Sequence, residues 1–494
     1  MDVKCKISLI LLLFVTMTAA ADDGIRLRNC RRGVELSVTR SLRAPSVPLH
    51  AGGDFYHGDC HQLVVLASFQ DQSFSDDDAA TYLKWNKIFN AENYQEEPYV
   101  GSVHDYFYNQ SGGRFNLIFD IYQITLPDSL MRYRSTQFHD EYSQYMVDDI
   151  IDTLQTLDID WGKYDWDDNG YVNQLLIVYA GEGMNAGGGY KTIWPHQWWL
   201  SRHLKNPADF NEGYRDNRTV TSGDKEYIVD AYCCVQEVIN TSDILTPFGT
   251  IIHEFSHCFG FPDFYNGSTQ YVGAWELMDS GNYNGAGYCP PNYSAHERWL
   301  MGWLDLTELK ADTTVTDMQS LSDGYQEAYL IRNDGHSDEY YIVENRQKVG
   351  WDSELPGSGL MVFHVDFDES IWTGIHEMPN TTSRERYHAF SANNKTSIRS
   401  SDGWPYPYND NNQLTNESSP AATLNNANID GTKLMSKPIT KMAVADGLAS
   451  FHFEVAPITG MKEVATGADQ LLYRFGMIDI LRDAKGNIRK VIRK

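Results

Sequence analysis

Hydrophobic and polar positions in the first half of the chain predict strands and helices that alternate. Residues 63–69 are a continuous apolar run, as in a buried strand, and 115–124 alternates in polarity, as in a half-buried one. We expect a further strand at 172–179, and helices at 78–89, 103–108 and 144–157. This alternation predicts a first domain of the α/β or α+β type.

The pattern changes after about residue 310, where short apolar runs are separated by Gly, Pro, Asp and Asn. These runs predict strands at 327–331, 340–344, 360–365 and 451–455. The fold class we expect is therefore α+β, with a β-rich region after the first domain.

A third apolar pattern has the helical period of 3.6 residues. Thr246 and Pro247 form a favourable helix start, a capping hydroxyl followed by Pro at the first helical position. One stripe of this helix is apolar, and His253 and His257 fall on roughly the opposite side. The stripe consists of Phe248, Ile251, Ile252, Phe255 and Phe259.

The polar side of this helix carries the sequence HExxHxxGxxD. His253 and His257 share one helical face, so both imidazoles can reach one Zn²⁺. Glu254 can take a proton from a metal-bound water. Gly260 can adopt the left-handed conformation that ends a helix, which places Asp263 to supply a third ligand. The pattern predicts a metallohydrolase site, and the other interpretation is two structural histidines.

A second group of metal-ligand type lies at 165–173. Asp165, Asp167 and Asn169 stand at positions 1, 3 and 5 of a candidate calcium loop, with Gly170 at position 6. Leu176 stands where a bidentate Glu is expected. The segment is predicted either to bind Ca²⁺ or to form an Asx-rich turn.

Charge and the N-terminus bear on location and partners. The chain has 40 Lys and Arg against 67 Asp and Glu, a net charge of −27, which argues against nucleic acid as a partner. Lys4 and Lys6 precede an apolar run at 7–15 and small residues at 18–21. This arrangement predicts a signal peptide and a secreted or cell-surface protein with no transmembrane segment.

The cysteines suggest disulfides. Six of the seven remain after signal removal, an even number in an exported chain, so one or more disulfides are expected without a defined pairing. Cys258 is assigned to the core or to a disulfide. Cys30 is either a paired cysteine or a cap on the metal of a latent precursor.

Several motifs resemble the immune inhibitor A family of secreted zinc metallopeptidases. They include 69–71, 101–107, the zinc helix with Gly260 and Asp263, and the segments 274–279, 344–347, 355–360 and 402–407. The resemblance covers roughly residues 60–455. It implies a zincin-like catalytic domain, a zinc-dependent endopeptidase activity on extracellular proteins, and Met278 in a turn beneath the zinc.

The third zinc ligand has two candidates. Asp263 fits the HExxHxxGxxD spacing, whereas Glu276, nineteen residues after His257, fits the distant glutamate of thermolysin-like enzymes. A carboxylate at either place suits zinc. Tyr283 and His296 are candidates for stabilising the oxyanion.

The expected organisation is a signal peptide at 1–21, a linker or short pro-segment at 22–58 and the catalytic domain at 59–310. A β-rich region that completes the peptidase unit follows at 311–457, then a basic tail at 458–494. The leading hypothesis is an exported zinc endopeptidase with Glu254 as general base. The alternatives are a calcium-stabilised binding or adhesion protein with a structural zinc site, and a zinc hydrolase of non-peptide substrates.

Overall fold

A computed structural model describes residues 56–134, 142–186, 191–206, 209–239, 244–245, 248–325, 327–373 and 378–455, together with strands at 465–466, 469–475, 478–482 and 488–492. Two compact units are present, and each is assembled from separate stretches of chain. The first comprises Met1–Leu304, Lys348–Leu355 and Glu369–Thr381. The second comprises Asp305–Gln347, Pro356–Asp368 and Thr382–Lys494. The predicted signal peptide, Cys30 and the helix start at Thr246 and Pro247 lie outside the described residues.

A six-stranded mixed sheet forms the centre of the first unit. Strand β1 pairs in parallel with β2 on one side and with β3 on the other, and β3 pairs in parallel with β9. Two short strands, β4 and β10, pair with β9 in antiparallel fashion. The bounds are β1 Gly58–Ser68, β2 Phe115–Thr125, β3 Leu175–Glu182, β4 His196–Trp199, β9 Ala231–Ile239 and β10 Ile244–Leu245.

Helices and two hairpins complete the first unit. The helices are α1 Asp78–Asn90, α2 Val103–Gln110, α3 Leu130–Tyr133, α4 Ser143–Leu154, α5 Phe248–Ser256, α6 Ala295–Leu300 and α7 Glu369–Trp372. The hairpin strands are β5 Leu204–Asn206 with β6 Asp209–Tyr214, and β7 Arg218–Ser222 with β8 Lys225–Val229. The 3₁₀ turns are Trp161–Tyr164, Met184–Ala186, Leu200–Arg202, His257–Phe259, Gly273–Trp275, Gly281–Gly287 and Gly350–Asp352.

Local sequence explains where the helices begin. Helix α2 has a capping box in which the Ser102 hydroxyl accepts the Asp105 N–H, and the Asp105 carboxylate accepts the Ser102 N–H. Ser294 and Glu297 form the same arrangement at the start of α6. The expected mixture of helix and sheet is confirmed, and the strands and helices predicted in this half occur within a few residues of their expected bounds.

The apolar stripe of α5 packs against a cluster of aromatic side chains. All five stripe residues are buried. The Phe259 ring lies 5.0 Å from Tyr56, 5.6 Å from Phe107 and 6.1 Å from Trp303, centroid to centroid. Because this contact buries large rings on one side of α5 and of the turn that follows it, it fixes the segment that carries both histidines.

A stretch from the later half of the chain returns to this unit. Trp351, in the returning segment Lys348–Leu355, places its ring 5.6 Å from Phe248 and 5.2 Å from Tyr106. The Asp352 carboxylate accepts the Asn292 N–H at 2.9 Å. Helices α2 and α5 therefore share a buried tryptophan that lies about 100 residues later in the sequence than α5.

The second unit is rich in strands, as its sequence predicts. One sheet has the order β11-β13-β14-β15-β18 and another the order β12-β20-β19. The bounds are β11 Thr307–Glu308, β12 Thr313–Met318, β13 Ala328–Asn333, β14 His336–Arg346, β15 Gly359–Asp366, β18 Tyr387–Ala389, β19 Ile439–Ala445 and β20 Leu448–Phe453. Shorter elements are the strands β16 Asn380–Thr381, which belongs to the first unit, and β17 Arg384–Glu385, with the 3₁₀ turns Leu321–Asp323 and Ile398–Gly403.

The basic C-terminal segment contains a four-stranded antiparallel sheet. Its strands are β21 Ala465–Thr466, β22 Asp469–Phe475, β23 Ile478–Arg482 and β24 Ile488–Ile492. In the part of the chain that the structure describes, no helix is long and apolar enough to cross a bilayer.

The expectation of disulfides is not met among the cysteines that the structure describes. Five of them are free thiols, and four of these five are buried. Each occupies a site in the packed interior or near it, so they act as small apolar side chains. They are Cys60, Cys233, Cys234, Cys258 and Cys289.

Substitution of Gly101 by Ala tests the packing of the returning tryptophan. A Cβ added at Gly101 would lie 2.4 Å from Cζ2 and 2.5 Å from Cη2 of Trp351. We expect Gly101→Ala to lower the free energy of unfolding by about 1–3 kcal/mol, measured by urea denaturation. The exposed neighbour Val100 provides the control, because Val100→Ala should change the free energy of unfolding by less than about 0.5 kcal/mol. Equal denaturation midpoints for the two variants would contradict this packing.

A buried hydrogen-bond network lies at the β4 edge of the sheet. The Tyr232 hydroxyl is 2.8 Å from His196 Nε2, 2.7 Å from His203 Nε2 and 3.0 Å from Ser143 Oγ. Burial, together with the nearby His196 and Arg215, holds the pKa of His203 well below its usual value. His203 is therefore neutral in the folded protein at neutral pH.

This network predicts a pH dependence of stability. Because the pKa of His203 is lower in the folded than in the unfolded chain, the unfolded chain takes up the proton first as the pH falls. The folded state should lose stability below about pH 6.5, by at most about 1.4 kcal/mol per pH unit. In His203→Gln this contribution is absent, so the free energy of unfolding should fall less between about pH 7 and about pH 5. An identical decrease in both proteins would refute the assignment.

Candidate metal centre

The metal-binding motif begins on α5 and continues past its end. His253 and Glu254 lie in the last turn of α5, whereas His257 opens the 3₁₀ turn His257–Phe259. Gly260 has φ 88°, so its predicted left-handed conformation is confirmed. The predicted single helix through His257 is thus wrong in one respect, because the backbone tightens from α-helical to 3₁₀ geometry after Ser256.

The motif's polar side chains converge in the interior. Single ligand atoms of His253, Glu254 and His257 all lie within 4.8 Å of one another. Asp263 Oδ1 lies 3.2 Å from His253 Nε2 and 3.4 Å from His257 Nε2. Two ligands that each lie about 2.0–2.1 Å from one tetrahedral zinc are about 3.3–3.4 Å apart, so these spacings suit a shared ion. All four side chains are buried.

Backbone carbonyl groups orient both imidazoles. His253 Nδ1 lies 2.9 Å from the Leu277 carbonyl oxygen, and His257 Nδ1 lies 2.7 Å from that of Phe261. A carbonyl only accepts, so each Nδ1 carries a proton, and Nε2 is the nitrogen that remains to face a metal. Histidine ligands of metal sites commonly have this arrangement, in which one ring nitrogen donates to a carbonyl group and the other binds the metal.

The Asp263 carboxylate also shows that a metal cation fits this group of side chains. It is fully buried, and neither of its oxygens receives a well-formed hydrogen bond from the residues that the structure describes. A buried carboxylate in this state is unfavourable unless a cation lies beside it. The donor set of two imidazole nitrogens and one carboxylate oxygen is one that Zn²⁺ binds.

The electrostatics of these side chains show the same need for positive charge. Burial alone would raise the pKa of Asp263, but the two neighbouring imidazoles lower it below its usual value. Burial alone would lower the pKa of His253, but Asp263 and Glu254 raise it to about 9. The carboxylates thus hold a proton where a metal ion fits, and metal binding would release that proton.

A turn at 273–280 lies against the site. Three backbone N–H groups, those of Tyr271, Val272 and Gly273, donate to Asp279 Oδ2 at 2.8–3.0 Å. Burial raises the pKa of Asp279 to about 6 despite these hydrogen bonds. The same turn contains Met278, whose carbonyl accepts the Phe264 N–H at 2.8 Å. It therefore connects the loop of Asp263 with the carbonyl that orients His253.

Glu276, the alternative third ligand, lies in this turn. It is fully buried, and its Oε1 lies 3.4 Å from the Met278 nitrogen. Its backbone is extended and follows a 3₁₀ turn, and it does not lie on a second helix as the thermolysin-like arrangement requires. The short distances to both imidazoles belong to Asp263.

Two comparisons with known proteins agree with this geometry. Residues 60–301 match the family model of the immune inhibitor A peptidase M6 catalytic domain. Over these residues the chain is similar to the catalytic domain of the peptidase M6 family. It is 25% identical over 290 residues to immune inhibitor A of Bacillus thuringiensis subsp. alesti, which covers 49% of this chain and 40% of the relative. The chain thus spans about two fifths of that relative's length.

The two oxyanion candidates occupy different environments in the structure. Tyr283 is 49% exposed. His296 is buried, with its ring 6.1 Å from that of Trp372 and 6.4 Å from that of Trp299. A further tyrosine, which sequence reasoning missed, stacks on a candidate ligand. The Tyr265 ring lies 6.4 Å from that of His253 at an angle of 21°.

The candidate calcium loop uses its own oxygens for internal hydrogen bonds. The Asp165 carboxylate accepts the N–H groups of Asn169 and Gly170, each at 2.9 Å. Asn169 Oδ1 accepts the Tyr171 N–H at 2.8 Å, and its Nδ2 donates to Asp167 Oδ2 at 2.7 Å. These are the contacts of an Asx-rich turn, the other interpretation, and calcium binding has no support here.

Sequence reasoning also missed the residues that support the metal centre. Asp279 ends the motif 274–279 but carried no predicted role. Trp372 and Asn380 carried no signal, because they lie more than 100 residues after the helix. Their contacts depend on the return of a distant segment to the first unit.

Proposed function

We propose that this chain is an exported zinc-dependent endopeptidase that hydrolyses peptide bonds of extracellular proteins. The observation that carries the proposal is the placement of Asp263 Oδ1 within 3.2 and 3.4 Å of the two imidazole Nε2 atoms, with Glu254 beside them. The family match supports a metallopeptidase domain. The whole protein's activity is part of the proposal, since the chain covers 40% of its relative.

His253, His257 and Asp263 are the proposed zinc ligands. The two Nδ1–H groups are tied to carbonyl oxygens, so both Nε2 lone pairs are available, and Asp263 brings the negative charge that a divalent cation needs. When bound, zinc polarises the scissile carbonyl and lowers the pKa of water. Three protein ligands leave one position for substrate or water, as in catalytic zinc sites.

Glu254 is the proposed general base. It is buried beside His253, and its carboxylate lies close enough to the imidazoles to reach a water in the same space. Glu254 takes the proton of the attacking water and then passes it to the nitrogen of the leaving amine.

Protein substrates and export follow from separate observations. The family match supports peptide bonds as the bonds cleaved. Lys4, Lys6 and the apolar run 7–15 support export, since this is the pattern of a signal peptide.

The alternative, a calcium-stabilised binding protein with a structural zinc site, is less well supported. In the loop that suggested calcium, both oxygens of Asp165 and the Oδ1 of Asn169 accept hydrogen bonds from the loop's own backbone. A structural site also has no use for a base next to its first ligand, whereas Glu254 directly follows His253. A hydrolase of non-peptide substrates is separable by comparing casein with small esters and amides.

Substitution of Glu254 by Gln tests the mechanism. The variant keeps the shape of the side chain and removes the base, so the rate of casein cleavage should fall by about 10²–10⁴-fold. Zinc content, measured by atomic absorption, should stay near one ion per chain, because the proposed ligands are intact. Cleavage near the wild-type rate with zinc still bound would reject Glu254 as the base.

A metal assay tests the third ligand. Asp263→Ala leaves two imidazoles, so zinc affinity should drop steeply and casein cleavage should vanish, whereas Asp263→His should retain zinc. The control is Glu276→Ala, which should weaken packing near Met278 and leave about one zinc per chain. If Glu276→Ala loses zinc and Asp263→Ala keeps it, the third ligand is Glu276.

A further inference from the structure

The loop that carries Asp263 is held by a residue that lies far away in the sequence. Asp263 lies in an irregular segment between Gly260 and a bridge at Asn266 and Thr269. Regular secondary structure does not fix this segment, so other groups must satisfy its polar backbone. The next residue, Phe264, donates its N–H to the Met278 carbonyl at 2.8 Å.

Asn380 makes further hydrogen bonds with this segment. Its Nδ2 donates to the Phe264 carbonyl at 3.0 Å, and its own carbonyl accepts from Asn266 Nδ2 at 3.0 Å. The Asn380 side chain is fully buried. Two hydrogen bonds therefore join Asn380 to the residues that directly follow the proposed third ligand.

The Phe264 ring is held by the same distant segment. Trp372 lies 6.2 Å from it, in an edge-to-face arrangement. Trp372 and Asn380 both belong to Glu369–Thr381, which is part of the first unit although the stretches before and after it belong to the second. The segment lies beyond residues 60–301, the part that matches the catalytic-domain family.

We propose that Asn380 is a positioning residue for the third metal ligand, and that the catalytic unit is incomplete without Glu369–Thr381. This rests on the proposed zinc site. The Phe264 backbone is held at its N–H by Met278 and at its carbonyl by Asn380, and its ring contacts Trp372. Asp263 precedes it directly, so the Asp263 carboxylate is held near both imidazoles. A loss of the Asn380 donor leaves the Phe264 carbonyl without this buried partner and loosens the loop.

Zinc affinity of the full-length protein tests this role better than stability does. The variant is Asn380→Ala, and the matched control is Asn90→Ala. The Asn90 side chain makes the same kind of contact, donating to the Phe119 carbonyl at 2.9 Å and accepting the Phe119 N–H at 2.8 Å, but on strand β2. Zinc dissociation constants come from competition with a chelator, and thermal unfolding of the metal-free proteins reports general stability.

We expect Asn380→Ala to weaken zinc binding about tenfold or more, as loss of outer contacts does at metal sites, and Asn90→Ala to change it less than about threefold. Casein cleavage by Asn380→Ala should recover when zinc is added in excess, since the base is intact. If Asn380→Ala does not fold, Asn380→Ser carries the same comparison, because the shorter hydroxyl does not reach the Phe264 carbonyl.

Three results separate failure of this proposal from failure of the proposed function. Equal zinc affinity in wild type and Asn380→Ala overturns the positioning role and leaves the zinc site intact. Equal losses of affinity in both Asn variants also overturn it, because they show an effect of general stability. If the wild type itself binds no zinc, the proposed metal site is wrong.

Discussion

The candidate metal centre depends on two hydrogen bonds that involve none of the proposed ligand atoms. The carbonyls of Leu277 and Phe261 accept from the Nδ1 atoms of His253 and His257, and so set the tautomer and rotation of both rings. Each carbonyl belongs to a segment that must itself be held. Asp279 holds the first segment through three backbone N–H groups, and the left-handed Gly260 returns the chain so that Phe261 lies under His257. The positions of the two imidazoles are therefore decided by turns more than by the helix that carries them.

The aromatic cluster and the polar turn have complementary effects on α5. Rings such as Phe107 and Phe259 bury one side of the helix and fix its depth in the domain. The turn at 273–280 supplies polar groups on the other side, where apolar packing would leave the imidazoles free to rotate. The side of the helix that carries the polar motif is therefore buried as fully as its apolar side.

Local sequence patterns predicted most helices and strands. The features that they did not predict depend on contacts between residues far apart in the sequence. Helix α1 was expected at 78–89 and is found at Asp78–Asn90, because its periodicity and its N-cap Asp77 are local signals. The hairpins between β5 and β8 were missed, since short polar strands lack a clear alternation. Spacing identified His253, Glu254 and His257 as candidates but left Asp263 and Glu276 open, because chain separation does not give spatial separation. Asn380 lies 116 positions from its partner Phe264, and no local pattern announces such a contact.

The discontinuous first unit has a consequence for synthesis. A chain emerges from the ribosome in order, and the family-matched part ends at residue 301, whereas the last segment of the unit ends at 381, or 80 residues later. At about 5–20 residues per second, this interval lasts roughly 4–16 seconds. During that time the histidines and Glu254 are already made, but Trp372 and Asn380, which contact Phe264 in the Asp263 loop, are not. The nascent chain thus passes through a stage in which the residues of the candidate metal centre have been synthesised, but the Asp263 loop does not yet have all of its contacts.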